Sequence, residues 1–375
     1  MIPMNSHEDL LGELNKGGSL SQKLRSVHSV LKKRHDFIDR VAVAVYDSKT
    51  DLLKTFIHSG GDGNPLVRYE AKLTEVGSLR AILESGRPRV INDLAIFAQG
   101  THEHTRRIAG AGFGSSYTLP VYFNGLFLGF LFLDSYQKEV FQAEVLDDLD
   151  LFGHLISQMI ANELAAIRMM ISTVQAARHI AAYRDRETGG HIDRVSHYAR
   201  LIARKLAPKY RFDDEYIELI FLFAPLHDIG KVGIPDVVLK KGGELTPQEC
   251  EVMKGHTIQG RRIIDTLLRD FGLDTYQNVD MLRNIAEYHH EAVDGSGYPH
   301  GIEGESIPIE ARIIAVADIF DALTSRRRYK VAWSLEEAFA MLRRLSGFKL
   351  DPDCVEALLQ NREAVTEIQA RFKEE

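Results

Sequence analysis

Apolar residues along this chain change their period twice. Over residues 41–46 (VAVAVY), 52–58, 121–122 and 126–133 they come as short β-branched and aromatic runs, the last two on either side of Asn124-Gly125. Runs flanking Asn-Gly predict strands joined by a hairpin. Helical stretches are expected over 24–34, 78–84 and 103–110. A meander of strands with helices packed on one side makes an α+β domain.

From residue 139 to about 183 there is no proline and one glycine. Apolar residues recur at Leu146, Leu149, Phe152, Ile156, Ile160, Ile167, Met170 and Val174. That spacing predicts one long helix with an apolar stripe. Two uses of the stripe stand open, packing on the helix's own domain or pairing with the same helix of a second subunit. At about 40 residues the helix exceeds the needs of one domain, which favours a homodimer joined by a coiled coil.

Beyond residue 184 the period is helical almost throughout, over 194–207, 214–227, 246–264, 279–289, 309–324 and 335–345, with Pro208, Pro235, Pro247 and Pro308 near the boundaries. Thr246-Pro247-Gln248-Glu249 reads as an N-cap with proline at the first helical position. The expected architecture is a helical bundle with polar residues projecting inward. Metal sites in bundle cores are built that way.

The chemistry is concentrated in that bundle. The run FLFAPLHDIGKVGIPD at 221–236 ends an apolar face on His227 and Asp228, and Lys231 follows within a helical turn. Adjacent ionisable groups at the buried end of an apolar segment are costly unless something pairs them, and a cation is one remedy. A lone His-Asp pair is more often a surface hydrogen bond than a metal site. Further donors stand elsewhere: His191 with Glu187 four residues before it, His256, His289-His290, and Asp318 in ARIIAVADIFDALTS. Together they form a nitrogen and oxygen set too large for one ion. Such a set without thiolate suits iron, manganese or another first-row ion better than structural zinc.

HDIGK at 227–231, HHEAVDGSGYP at 289–299 and the continuation IPIEARIIAVADIFDALTSRRRYK at 307–330 resemble the HD-GYP branch of the HD-domain metal-dependent phosphohydrolases, over about the last 200 residues. The resemblance implies a phosphodiesterase that opens cyclic di-GMP to pGpG and on to GMP by attack of a metal-bridging hydroxide. It implies metal ligands at His191, His227, Asp228, His256, His289, His290 and Asp318, with Glu187 holding a third, outer ion, so two or three ions of Fe or Mn per chain with three favoured. Asp228 and Lys231 take the catalytic roles. Lys231, Arg327, Lys330 and Tyr298 are expected to meet the substrate, and Arg328 stands where the family has proline. Gly295, Gly297 and Pro299 are expected to shape a tight loop, with Asp294 holding it. A hydrolase of mixed cyclic GMP-AMP, or a catalytically silent module signalling by contact, are the alternatives.

The stretch around Arg40, Arg89-Val90-Ile91-Asn92-Asp93, Leu119-Pro120-Val121 and Gly129-Phe130-Leu131-Phe132-Leu133-Asp134 resembles a GAF sensor domain. A small-molecule ligand is then expected, of unknown identity. The segment has no cysteine for a thioether-attached bilin, and His58, His102, His104 and His154 read as isolated surface or hydrogen-bonded residues rather than haem ligands. The chain is thus expected to be multidomain: a lead-in at 1–21, a GAF-like α+β sensor domain at 22–160, a connecting helix at 161–183, and an all-α HD-GYP bundle at 184–375.

Composition narrows the setting. With 375 residues, 45% hydrophobic, 26% charged and a net charge of −7, the chain reads as ordinary globular protein. An acidic balance argues against a nucleic-acid polymer as partner. No apolar run is long enough for a membrane span and the start lacks a signal peptide, so the expected location is cytoplasmic. Cys250 and Cys354 make neither a disulfide framework nor a metal-spaced pair.

Overall fold

The structure, a computed structural model, describes residues 9–16, 18–61, 64–97, 103–182, 189–272, 278–325 and 332–373. They fall into two compact units, 1–165 and 166–375.

The first unit is built on one antiparallel sheet. Its strands β1 (Arg40–Asp47), β2 (Leu52–Gly60), β3 (Glu70–Lys72), β4 (Arg89–Ile91), β5 (Ser115–Phe123) and β6 (Leu126–Ser135) lie in the order β3-β2-β1-β6-β5-β4. The expected hairpin is β5–β6. Asn124 and Gly125 both take positive φ, 48° and 79°, as a two-residue turn between twisted strands requires. The central pair β1 and β6 is in register with Val43 opposite Leu131, and their inward side chains Val41, Val43, Leu131 and Leu133 are buried. Gly129 sits where a Cβ would lie 1.9 Å from the carbonyl oxygen of Ala44, so only glycine lets these two strands approach.

Helix α1 (Leu20–Arg34) opens on a capping box between Ser19 and Gln22 and buries Leu20, Leu24, Val27 and Leu31. Helices α2 (Gly77–Ser85) and α3 (Glu103–Gly110) follow, and α4 runs unbroken over Ala143–Ala182. The stripe on α4 is real, and its first part is already used. Leu149, Phe152, Ile156 and Ile160 are buried within the chain itself, which matches the first of the two uses weighed for it.

The second unit is helical. It contains α5 (Gly189–Tyr210), α6 (Asp214–Phe223), α7 (Asp236–Leu239), α8 (Pro247–Lys254), α9 (His256–Asp270), α10 (Val279–Tyr288), α11 (Ile309–Thr324), α12 (Leu335–Leu345), α13 (Pro352–Leu359) and α14 (Arg362–Arg371). Its core joins Tyr198 and Ile202 of α5, Ile220 and Phe223 of α6, Ile285 of α10, and Ile314 and Phe320 of α11. Helix α11 is buried almost all round, which explains its continuous apolar sequence.

Two expected helices come out differently. The stretch 246–264 is two helices, α8 and α9, broken at Gly255 so that His256 opens the second. Thr246 does cap α8, in a capping box with Glu249 and with Pro247 in the first turn. The helix expected through 227 ends at Phe223 and tightens into a 3₁₀ turn over Ala224–Leu226. Pro225 has no N–H to continue the α ladder there. Among the described residues, no helix is long and apolar enough to cross a membrane.

Candidate metal centre

Residues from five segments of the second unit meet at one place. His227 and Asp228 stand between the turn at Ala224–Leu226 and a second 3₁₀ turn at Ile229–Gly233. In 3₁₀ geometry residues three apart eclipse one another, so Lys231 lies over Asp228 with Nζ 2.6 Å from Oδ2. The expected proximity holds, though the α-helical turn assumed for it does not. The second turn also lies against the start of α9. A Cβ on Gly230 would fall 1.8 Å from the carbonyl oxygen of His256 and 2.5 Å from the amide of Gly260, so backbone touches backbone here. That contact brings His256 Nε2 to 3.3 Å from Asp228 Oδ1.

The histidines are oriented by their other nitrogens. Nδ1 of His227 lies 2.8 Å from the carbonyl of Ala224, that of His256 2.8 Å from Met253, and that of His289 2.9 Å from Ile285. A ring that donates Nδ1–H to a carbonyl turns the lone pair of Nε2 the other way, and here it turns toward Asp228. Nε2 of His227 is 3.2 Å from Asp228 Oδ2 and Nε2 of His289 is 3.7 Å from Oδ1. Across the cluster, His191 places Nδ1 2.8 Å from Asp321 Oδ2 and Nε2 3.9 Å from Asp318 Oδ1.

Burial sets the protonation. It pushes His256 down to about 4 and His290 well below its ordinary range, each aided by the neighbouring His289. Burial also works to raise the Asp228 carboxyl, but Lys231 and His227 outweigh it and hold the group well below the usual carboxylate range. At neutral pH His256 and His290 are therefore neutral imidazoles and Asp228 is a charged carboxylate. Those are the forms that bind metal.

Two groups have ligand atoms mutually within 4.8 Å: Asp228, His256, His289 and His290, and beside it His191, His227 and Asp318. Lone pairs facing lone pairs inside a protein repel unless a cation lies between them. Nε2 of His191 and Oδ1 of Asp228 are buried and, among the described residues, have no hydrogen-bond partner. Buried polar atoms left in this state need a partner. The residues present thus fit metal, with nitrogen and oxygen donors and no sulfur. Cys250 and Cys354 belong to neither group.

The seven ligands expected at 191, 227, 228, 256, 289, 290 and 318 are brought together. Tyr298 stacks on His290 at 4.8 Å between ring centroids, with Lys254 Nζ 5.7 Å from its ring. Gly297 lies where a Cβ would be 2.2 Å from the amide of Ala292, which explains the glycine in that loop, and Asp294 accepts from the backbone amide of Ser296 at 3.0 Å. Glu187, Arg327 and Lys330 lie outside the described residues. Sequence reasoning missed the layer behind the ligands. Asp321 holds His191 and also accepts from Arg194 (Nε 2.5 Å, Nη2 3.1 Å) and Ser325 (3.0 Å), while Glu291 accepts from the amide of His300 at 2.7 Å. The spacing carried a signal: Asp321 follows Asp318 by three residues on α11, and Arg194 follows His191 by three on α5.

A family model described as HD domain matches residues 157–354, more than half of the chain. The chain belongs to the HD-domain family. Among curated relatives, a probable cyclic di-GMP phosphodiesterase of Vibrio cholerae is 40% identical over 212 residues, covering 56% of this chain and 48% of the relative. The cyclic di-GMP phosphodiesterase response regulator RpfG of Xanthomonas campestris is 44% identical over 190 residues, covering 51% and 47%. A 3'3'-cGAMP-specific phosphodiesterase 2 of Vibrio cholerae is 38% identical over 187 residues, covering 50% and 34%. The chain thus spans about half the length, or less, of these relatives. Among solved structures, the phycocyanobilin-bound GAF domain of a cyanobacterial phytochrome is similar to 41% of the chain and 92% of its own length, at 13% identity and a TM-score of 0.33.

Proposed function

We propose that the chain is a metal-dependent phosphodiesterase that opens cyclic di-GMP to pGpG and then to GMP, under control of a GAF-like sensor domain at 22–160. The observation that carries this reading is the buried convergence of His191, His227, Asp228, His256, His289, His290 and Asp318, with Lys231 beside Asp228. Bound iron or manganese supplies Lewis acidity at the phosphoryl oxygens and lowers the pKa of a coordinated water. Asp228, held anionic, and the oriented imidazoles keep that charge in place. Lys231, whose side chain is 22% exposed, stands on the open side of the cluster, where its ammonium meets the anionic diester and offsets charge gained on the way to the transition state. Tyr298 lies against His290 at the same side and offers an aromatic face to a base.

We assign substrate phosphates or guanines to Arg327 and Lys330 on the strength of the motif. Glu187 is proposed as a ligand of a third ion, which would favour cutting the second ester. The chain is proposed to act in the cytoplasm as a homodimer joined through α4. Mixed cyclic GMP-AMP is the second reading, favoured by the printed activity of one relative. The test is anaerobic purification, metal analysis and product identification with both cyclic dinucleotides. Asp228→Ala is expected to abolish turnover while the protein stays helical by circular dichroism. Undiminished turnover refutes the assignment.

A further inference from the structure

The first unit holds a partly open cavity of about 90 Å³ between its sheet and the helical segments that follow β3 and β4. Much of its wall is apolar, including Leu53, Leu79, Ile91 and Phe132. Its polar lining is unevenly satisfied. Arg40 and Asp134 neutralise each other, Nη1 to Oδ2 at 2.5 Å, and Asp134 Oδ1 also accepts from Ser116 at 2.6 Å. Arg89 is different. Its Nη1 donates to the carbonyl of Ser78 at 2.9 Å, and among the described residues no carboxylate pairs with it. Burial lowers its pKa, the sign of a cation that its surroundings do not compensate. Among the described residues, Nε of Arg89 and Oγ1 of Thr118 are buried without hydrogen-bond partners, and Thr118 is only 1% exposed.

These two groups are cross-strand partners, Arg89 on β4 directly opposite Thr118 on β5. Side chains so paired stand about 5 Å apart on one face of the sheet. A cation and a hydroxyl therefore converge on one end of an apolar chamber. Size bounds what can lie there. An apolar cavity of about 150 Å³ takes one benzene ring.

We propose that this cavity binds a small organic monocarboxylate with a short apolar body, the carboxylate held by Arg89 and Thr118 and the body against Leu53, Leu79 and Phe132. One uncompensated cation selects one negative charge, and the volume selects a molecule of a few heavy atoms. The proposal deepens the sensing role given to this unit. It does not depend on which dinucleotide the second unit hydrolyses.

The test is calorimetric titration of the full-length chain with acetate, propionate and isovalerate and with the neutral amide of each. At least one acid is expected to bind, and its amide at least about tenfold more weakly, the worth of a charge-assisted hydrogen bond. Arg89→Met is expected to abolish the preference for the acid. Thr118→Val, close in shape, is expected to weaken binding severalfold and serves if the arginine variant fails to fold. No heat from any acid at millimolar concentration, equal binding of acid and amide, or unchanged affinity in either folded variant overturns the proposal. Hydrolysis rates measured with and without the bound acid separate the two readings. Binding without a change in rate supports the ligand class and sinks the sensing role.

Discussion

Asp321 touches no substrate, yet replacing it should cost the protein both stability and metal. Its carboxylate is 1% exposed and accepts from Nδ1 of His191 at 2.8 Å and from two nitrogens of Arg194, itself 5% exposed. Asp321→Ala would take the carboxylate from that buried guanidinium, which keeps its bonds to the Phe372 carbonyl and the Ser325 hydroxyl. Breaking a buried pair from one side costs about 3–5 kcal/mol. For a unit of this size that lowers the melting temperature by about 6–20 °C. Asp321→Asn is the sharper probe, because it keeps the volume and can still accept from one neighbour. The carboxylate fixes which nitrogen of His191 faces Asp318, and losing such support typically costs about 10–100-fold in metal affinity. The assay is competition for metal against a chelator of known affinity, beside a thermal melt of the metal-free chain. A variant that melts lower but binds metal as tightly as the parent would refute the orienting role. It would leave Asp321 a structural anchor for Arg194.

Gly230→Ala should damage the centre without altering any ligand. The added methyl would collide with the carbonyl of His256, backbone against backbone, so the second 3₁₀ turn or the start of α9 must shift, and metal content should fall with a destabilisation of about 1–3 kcal/mol. Full metal content in a stable variant would show that the contact is not what sets the spacing of Asp228 and His256. Glu187→Ala is expected to lose about one ion per chain by elemental analysis and to accumulate pGpG; an unchanged ion count would remove Glu187 from the ligand set. Light scattering on the full-length chain should give twice the mass of one chain, and a monomer would refute pairing through α4.

His227, Asp228 and Asp318 were legible as candidates because they stand in or at the end of apolar runs, where burial of an ionisable group demands an explanation, whereas His191, His256, His289 and His290 lie in polar stretches and came in through the motif. The layer behind them was not legible. The three-residue spacing put Asp321 and Arg194 on the faces of Asp318 and His191, but only the packing of α5 against α11 makes the two partners of each other and of His191. Strands β3 and β4 escaped because three residues cannot show a period. Helix α13 did carry a readable start, Asp351 capping the amide of Cys354 with Pro352 behind it, but its length leaves little room for a stripe.

The break at Gly255 shows the limit most clearly. Residues 246–264 keep a helical period right through the break, so periodicity gives no reason to divide them. The reason lies elsewhere in the chain, at Gly230, whose missing side chain lets a turn press against the first residues of α9. Two glycines, Gly230 and Gly260, make that approach, and neither has a chemical group to announce it. The motif shows His256 as a ligand, while the direction in which it faces Asp228 follows from the absence of two methyl groups. A stripe of apolar residues has the same ambiguity. On α4 the spacing of Leu149, Phe152, Ile156 and Ile160 fits a partner helix as well as a sheet-bearing domain, and burial inside the chain accounts for those four. A subunit contact through α4 must therefore use other positions, such as Leu151 and Met169, which are 70% and 57% exposed.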